Sequence, residues 1–217
     1  MKSRVHAGFE NIKSRGPSRF DVRFDDRQWA GLFLFAGTAE FAVGLTIAEI
    51  VYPNYNMSTN FISDLGVGTA AAIVFNTSII LLGVAILAAA WFLLRAFHDR
   101  YLALAVALAG IGALGVGIFT EDYPAIHPVV SFVAFVFSAL SAILAFRIVR
   151  PPLQYLSVVL GVASLVALGL FISGTYAGLG RGGMERMIVW PVLIWGPALG
   201  GYLMVVPPAP HEGPATP

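Results

Sequence analysis

The chain has 217 residues, of which 58% are hydrophobic and 12% charged, and its mean hydropathy is +0.80. Soluble domains carry about 25% charged residues, so this much apolar surface calls for a membrane rather than a water-soluble core. A net charge of +1 gives no nucleic-acid signal, and the lack of cysteine excludes disulfides, thiol catalysis and iron–sulfur clusters.

Residues 1–28 form a polar, basic arm containing Lys2, Arg4, Lys13, Arg15, Arg19, Arg23 and Arg27. It lacks the short apolar core and small-residue cleavage site of a signal peptide. It reads as a cytoplasmic arm touching anionic headgroups, or as a plain topology signal. A membrane-spanning helix needs about 20 apolar residues, and six such stretches follow within residues 29–206. They are Trp29–Tyr52, Ala70–Phe97, Tyr101–Phe119, Ile126–Ile148, Leu153–Tyr176 and Met187–Val206. The breaks between them are Pro53 with the Asn-rich stretch after it, His98-Asp99-Arg100, Glu121-Asp122-Tyr123-Pro124, Arg150-Pro151-Pro152 and the glycine-rich Gly178–Gly183. Residues 207–217 are a Pro-rich tail expected to be disordered. The fold expected is all-α: a tight six-helix bundle in which Gly110, Gly112, Gly115, Gly117, Gly196, Gly200 and Gly201 let backbones approach closely.

Lysine and arginine set the orientation. Eleven fall on the side of the N-terminal arm and of the second-to-third and fourth-to-fifth connections, against Arg181 and Arg186 on the other. Both termini are therefore expected in the cytoplasm of a plasma-membrane protein. Three connections then face outside: Pro53–Thr69, Thr120–Ala125 and Ala177–Arg186.

Most polar candidates gather on that outer face. The first outer connection holds Asn60-Phe61-Ile62-Ser63-Asp64-Leu65-Gly66. Ser63 and Asp64 either cap the helix leading into the second span, or Asp64 supplies a carboxylate to His127 or Arg186, with Ser63 beside it as a further catalytic candidate. Asn76 lies about two turns into the second span. His127 is the one histidine placed to move a proton, or it merely tops its helix ahead of Pro128. Ser131 is one turn further on the same face. Glu185-Arg186 stands at the mouth of the sixth span, where Arg186 breaks the charge rule and needs a partner from Asp64, Glu121, Asp122 or Glu185. It either forms a structural ion pair or grips an anionic group. Glu49 lies near the outer end of the first span, placed to join the outer cluster, and Glu40 lies near the middle, where a charge costs several kcal/mol. Nine residues place these two on opposite helix faces, so they form no dyad. No metal or cofactor is called for, since no His-Glu-x-x-His spacing occurs.

These residues resemble a family of prokaryotic membrane proteins catalogued as domain of unknown function nine-nine-eight. The likeness is carried by Asn60–Gly66, Phe75-Asn76 with Leu82-Gly83, Gly115–Phe119 with His127, and Gly183-Met184-Glu185-Arg186 followed by Trp195. It covers about residues 30 to 205 and implies a six-helix membrane protein without an established activity. Its recurring polar positions fall on Asn60, Ser63, Asp64, Asn76, His127, Glu185 and Arg186.

Three readings follow. One is an outer-surface site that binds or hydrolyses at a lipid headgroup or a small polar or anionic ligand, with His127 as acid or base oriented by Asp64 and with Arg186 on the headgroup. The second is an ion-coupled carrier built on Glu40, with Pro191 and Pro197 breaking the sixth span. The third is a structural subunit of a homo-oligomer or larger membrane complex.

Overall fold

The computed structural model describes residues 24–205. Most of the basic arm and the Pro-rich tail lie outside them. The described residues form six long helices and contain no strand. These are α1 (Asp26–Val51), α2 (Ala71–Phe97), α3 (Arg100–Ile118), α4 (His127–Leu144, running on as a 3-10 turn to Arg147), α5 (Leu153–Ile172) and α6 (Gly180–Val205). Each is long and apolar enough to cross a membrane.

Local chemistry sets the ends. Asp25 accepts the Gln28 amide at 2.7 Å while the Gln28 side chain accepts the Asp25 amide at 3.0 Å. This reciprocal cap starts α1 three residues before the expected Trp29. Asp99 caps α3 by accepting from Tyr101 and Leu102. Burial pushes the Asp99 carboxyl up, but those two amides and Arg147 prevail and hold it below its ordinary range. The largest departure is α6, which begins seven residues before the expected Met187. The glycine-rich stretch is helical from Gly180, and Gly180 and Gly182 lie hard against the first connection. A Cβ on Gly182 would run into the Asn60 and Met57 carbonyl oxygens. Nor do Pro191 and Pro197 break α6. Helices in apolar surroundings tolerate proline where neighbours help serve the backbone, and the Ser164 hydroxyl donates to the Ile188 carbonyl at 2.7 Å, next to the Met187 carbonyl that Pro191 leaves without its helical donor.

The helices pack mainly against their sequence neighbours, and α6 returns onto α1, so the six close into a ring. Small residues permit the close crossings. A Cβ on Gly31 would lie 2.6 Å from the Gly200 oxygen, and one on Gly200 2.6 Å from the Gly31 oxygen, joining α1 to α6. Gly83 and Gly110 do the same for α2 and α3. Within α3, Gly110 and Gly117 face α2, while Gly112 and Gly115 face α4. The outward faces expose Ile73, Trp91, Leu104, Val129 and Val166, side chains suited to hydrocarbon.

Alternating helix directions bring the connections 52–70, 119–126 and 173–179 to one end. There Ser63 bonds to Glu121, and the Ser58 hydroxyl donates to the Leu179 carbonyl. The first and last described turns meet at the opposite end, where Gln28 donates to the Met204 carbonyl.

Candidate functional site

Three consecutive residues of the first connection organise the polar end. The Phe61 amide donates to Asp64 at 2.9 Å, the Ile62 amide to Glu185 at 2.5 Å, and the Ser63 hydroxyl to Glu121 at 2.6 Å. One short segment thus holds carboxyl groups from itself, from α6 and from the connection before α4. Asn60 donates a second bond to Asp64 at 3.0 Å. The oxygen of Asp64 that takes both bonds is turned back onto the residues just before its own 3-10 turn, Ser63–Gly66. Asp64 therefore neither caps α2, which has no side-chain cap, nor bonds to His127. Asn76 donates to the Gly66 carbonyl at 2.9 Å and braces the same turn from α2.

Arg186 is not at a helix mouth. The early start of α6 places it within the helix, 5% exposed. Its Nη2 meets Glu49 at 2.6 Å and the Tyr55 hydroxyl at 2.5 Å. Its Nη1 reaches the carbonyls of Met57, Asn60 and Gly182 at 3.0–3.3 Å. The ion-pair partner is thus Glu49, outside the four carboxylates weighed from sequence. Tyr55, unsuspected from the sequence, relays this knot to the Phe61 carbonyl at 2.9 Å. Burial pushes the Tyr55 hydroxyl up to about 12 against the pull of Arg186, so it stays a proton donor. With both terminal nitrogens turned inward on protein acceptors, Arg186 fastens α1, α6 and the first connection. It does not present a guanidinium to an outside anion.

His127 is 8% exposed at the start of α4. Its Nδ1 lies 2.8 Å from the Phe119 carbonyl, and its Nε2 lies 3.3 Å from the Ser131 hydroxyl. A carbonyl can only accept, so the neutral ring carries its proton on Nδ1 and offers Nε2 as an acceptor. Glu121 feels the charges of His127 and Asp64. Its carboxyl is pushed up, first by burial and then by Asp64, against the Ser63 bond and His127.

Below this cluster the helix ring holds a partly open apolar cavity of about 130 Å³. Ser63, Ser131 and Glu185 line it together with Phe41, Ile79, Ala113, Val116 and Leu193. Glu40 is not among the lining residues, and its Oε2 is buried without a hydrogen-bond partner. Among the described residues no three His, Asp or Glu side chains gather to hold a metal ion. Ser63, Glu121, Glu185, His127 and Ser131 come together at the cavity end, whereas Asn60, Asp64, Asn76 and Arg186 build the frame around them. Its depth in α1 places Glu49 with this cluster; its pairing with Arg186 is what the sequence did not indicate.

No curated protein and no solved structure matches the chain. A family model described as a protein of unknown function does match, over residues 35–202, from within α1 to within α6. The chain is a multi-pass membrane protein and belongs to that family, DUF998.

Proposed function

We propose that this is a plasma-membrane protein with both termini in the cytoplasm, and that it binds a membrane lipid or similar amphiphile at the outer end of its helix ring. The orientation rests on the eleven Lys and Arg residues assigned to the side of the termini. The chain has no cysteine, so Thr59→Cys in the exposed first connection gives a clean probe. An impermeant maleimide is expected to label it on intact cells. Labelling only after lysis would reverse the orientation.

The observation that carries the ligand reading is an apolar cavity with one polar end. An engineered apolar cavity of about 150 Å³ stays dry and takes benzene, so 130 Å³ suits about six carbons of a chain. The polar end offers carboxyl groups, an imidazole and hydroxyls, with Arg186 already engaged. That chemistry favours a neutral or cationic polar group over an anion. A carrier reading would need Glu40 on a wet path, and Glu40 lies outside the cavity lining.

Ala113, 5% exposed on α3, points its small side chain at the cavity. Ala113→Phe should fill the space. The expected result is loss of crosslinking to a photoactivatable diacylglycerol in detergent micelles, with the melting midpoint close to wild type. Wild-type protein should take the same probe in preference to a phosphatidylglycerol analogue. Equal capture of diacylglycerol by wild type and Ala113→Phe would sink the proposal.

A further inference from the structure

Five hydroxyl side chains line the cavity: Thr38, Ser63, Ser131, Ser138 and Ser141. Three of them satisfy themselves on their own helix. Thr38 donates to the Leu34 carbonyl, Ser138 to Phe135 and Ser141 to Phe137. This back-bonding is the ordinary resting state of a serine or threonine inside a helix. Ser131 departs from it. Its Oγ is paired with His127 Nε2 at 3.3 Å. The other side of the ring is fixed by the Phe119 carbonyl at 2.8 Å, which leaves Nε2 bare to accept the serine proton. A hydroxyl, a base within reach, and a third group orienting that base are the elements of an activated nucleophile. Here they lie at the polar end of an apolar cavity that Ser131 helps to line, with Ser63 and its partner Glu121 at the same end.

From this geometry we infer that Ser131 is a nucleophile and His127 its general base, acting on a carboxylic ester of a membrane lipid. The inference rests on the lipid-binding reading above and names the reaction at that site. Ser131 Oγ attacks the ester carbonyl carbon while its proton passes to His127 Nε2. The new Oγ–carbon bond forms, the bond from carbon to the alcohol oxygen breaks, and Nε2 returns the proton to the leaving alkoxide. Water entering from the outer end then attacks the acyl-serine and gives a proton to Nε2. The acyl carbon–Oγ bond breaks, Oγ takes the proton back, and a free carboxylic acid leaves. No oxidant or metal enters the balance. The placement suits the substrate: chain carbons lie in the cavity while the ester sits at its polar end.

The test uses the purified full-length protein in detergent with a long-chain alkyl fluorophosphonate, which phosphonylates activated serines. The expected result is a single adduct mapped to Ser131 by peptide mass spectrometry. It should be absent in Ser131→Ala and should form on the order of a hundredfold more slowly in His127→Gln. Melting midpoints establish that each variant is folded. If His127→Gln does not fold, the position of the wild-type adduct decides alone. No adduct, an adduct elsewhere, or equal rates in folded His127→Gln would overturn the assignment. Diacylglycerol crosslinking in wild type and Ala113→Phe separates the two ideas. Crosslinking that Ala113→Phe abolishes, with no Ser131 adduct, leaves a binding site without this chemistry. Crosslinking that is absent or indifferent to Ala113→Phe removes the lipid reading itself.

Discussion

Arg186→Ala is expected to be among the most damaging single substitutions in this protein, lowering stability by about 3–5 kcal/mol, the range for removing one partner of a buried ion pair. The side chains of Arg186 and Glu49 are 6% and 11% exposed, so Glu49 would be left charged with little access to water. The loss does not stop at the pair. The Met57, Asn60 and Gly182 carbonyls and the Tyr55 hydroxyl would each lose a donor. Arg186→Lys should recover only part of the stability, because one ammonium cannot reproduce a planar fork that reaches both α1 and the first connection. The double variant Glu49→Leu with Arg186→Met should melt above Arg186→Ala, since an apolar pair removes the stranded charge. Melting of the four proteins in one detergent orders them: wild type highest, Arg186→Ala lowest. An Arg186→Ala protein melting with wild type would show that the ion pair does not hold the connection in place.

This pair also shows where sequence reading stopped. Hydropathy located all six spans, because a run of about 20 apolar residues is a property of the chain alone. The alternation of spans then brought Ser63, Glu121, His127 and Glu185 to one end, as the Ser63–Glu121 and Ile62–Glu185 bonds display. Helical spacing placed Ser131 on the His127 face, and the two do meet. Rotation was not legible. Which acid meets Arg186 depends on how α1 is turned against α6, and that is fixed by glycine contacts such as Gly31 on Gly200. The role of Asp64 was equally hidden. It depends on the local turn that brings the Phe61 amide and the Asn60 side chain back to its carboxylate, rather than on the helix that follows.

The same limit applies to the glycine-rich stretch, and it leads to the second large effect. By composition Gly178–Gly183 is a break between spans; in three dimensions its latter half is the first turn of α6, wedged beneath the first connection. The Gly182 amide donates to the Ser58 carbonyl at 3.0 Å. A Cβ there would meet the Asn60 carbonyl well inside van der Waals contact and the Met57 oxygen at 2.7 Å. Both obstacles are backbone, so no rotamer change relieves them. Gly182→Ala should therefore lift the connection off α6 and weaken the Ile62–Glu185 bond and the Arg186 bonds to Met57 and Asn60. Overpacking costs about 1–3 kcal/mol, and each of the three weakened hydrogen bonds adds about 1 kcal/mol, so a loss of about 4–6 kcal/mol is expected. Gly201→Ala, with open space around its Cβ position, should instead be neutral or gain up to about 1 kcal/mol from helix propensity. Gly183→Ala, facing only the Leu179 Cβ at 2.9 Å, should fall between them. Melting midpoints of the three variants, with limited proteolysis of the first connection, give the comparison. Gly182→Ala melting with Gly201→Ala and showing no new cleavage between Pro53 and Thr69 would mean that the glycine does not seat this connection.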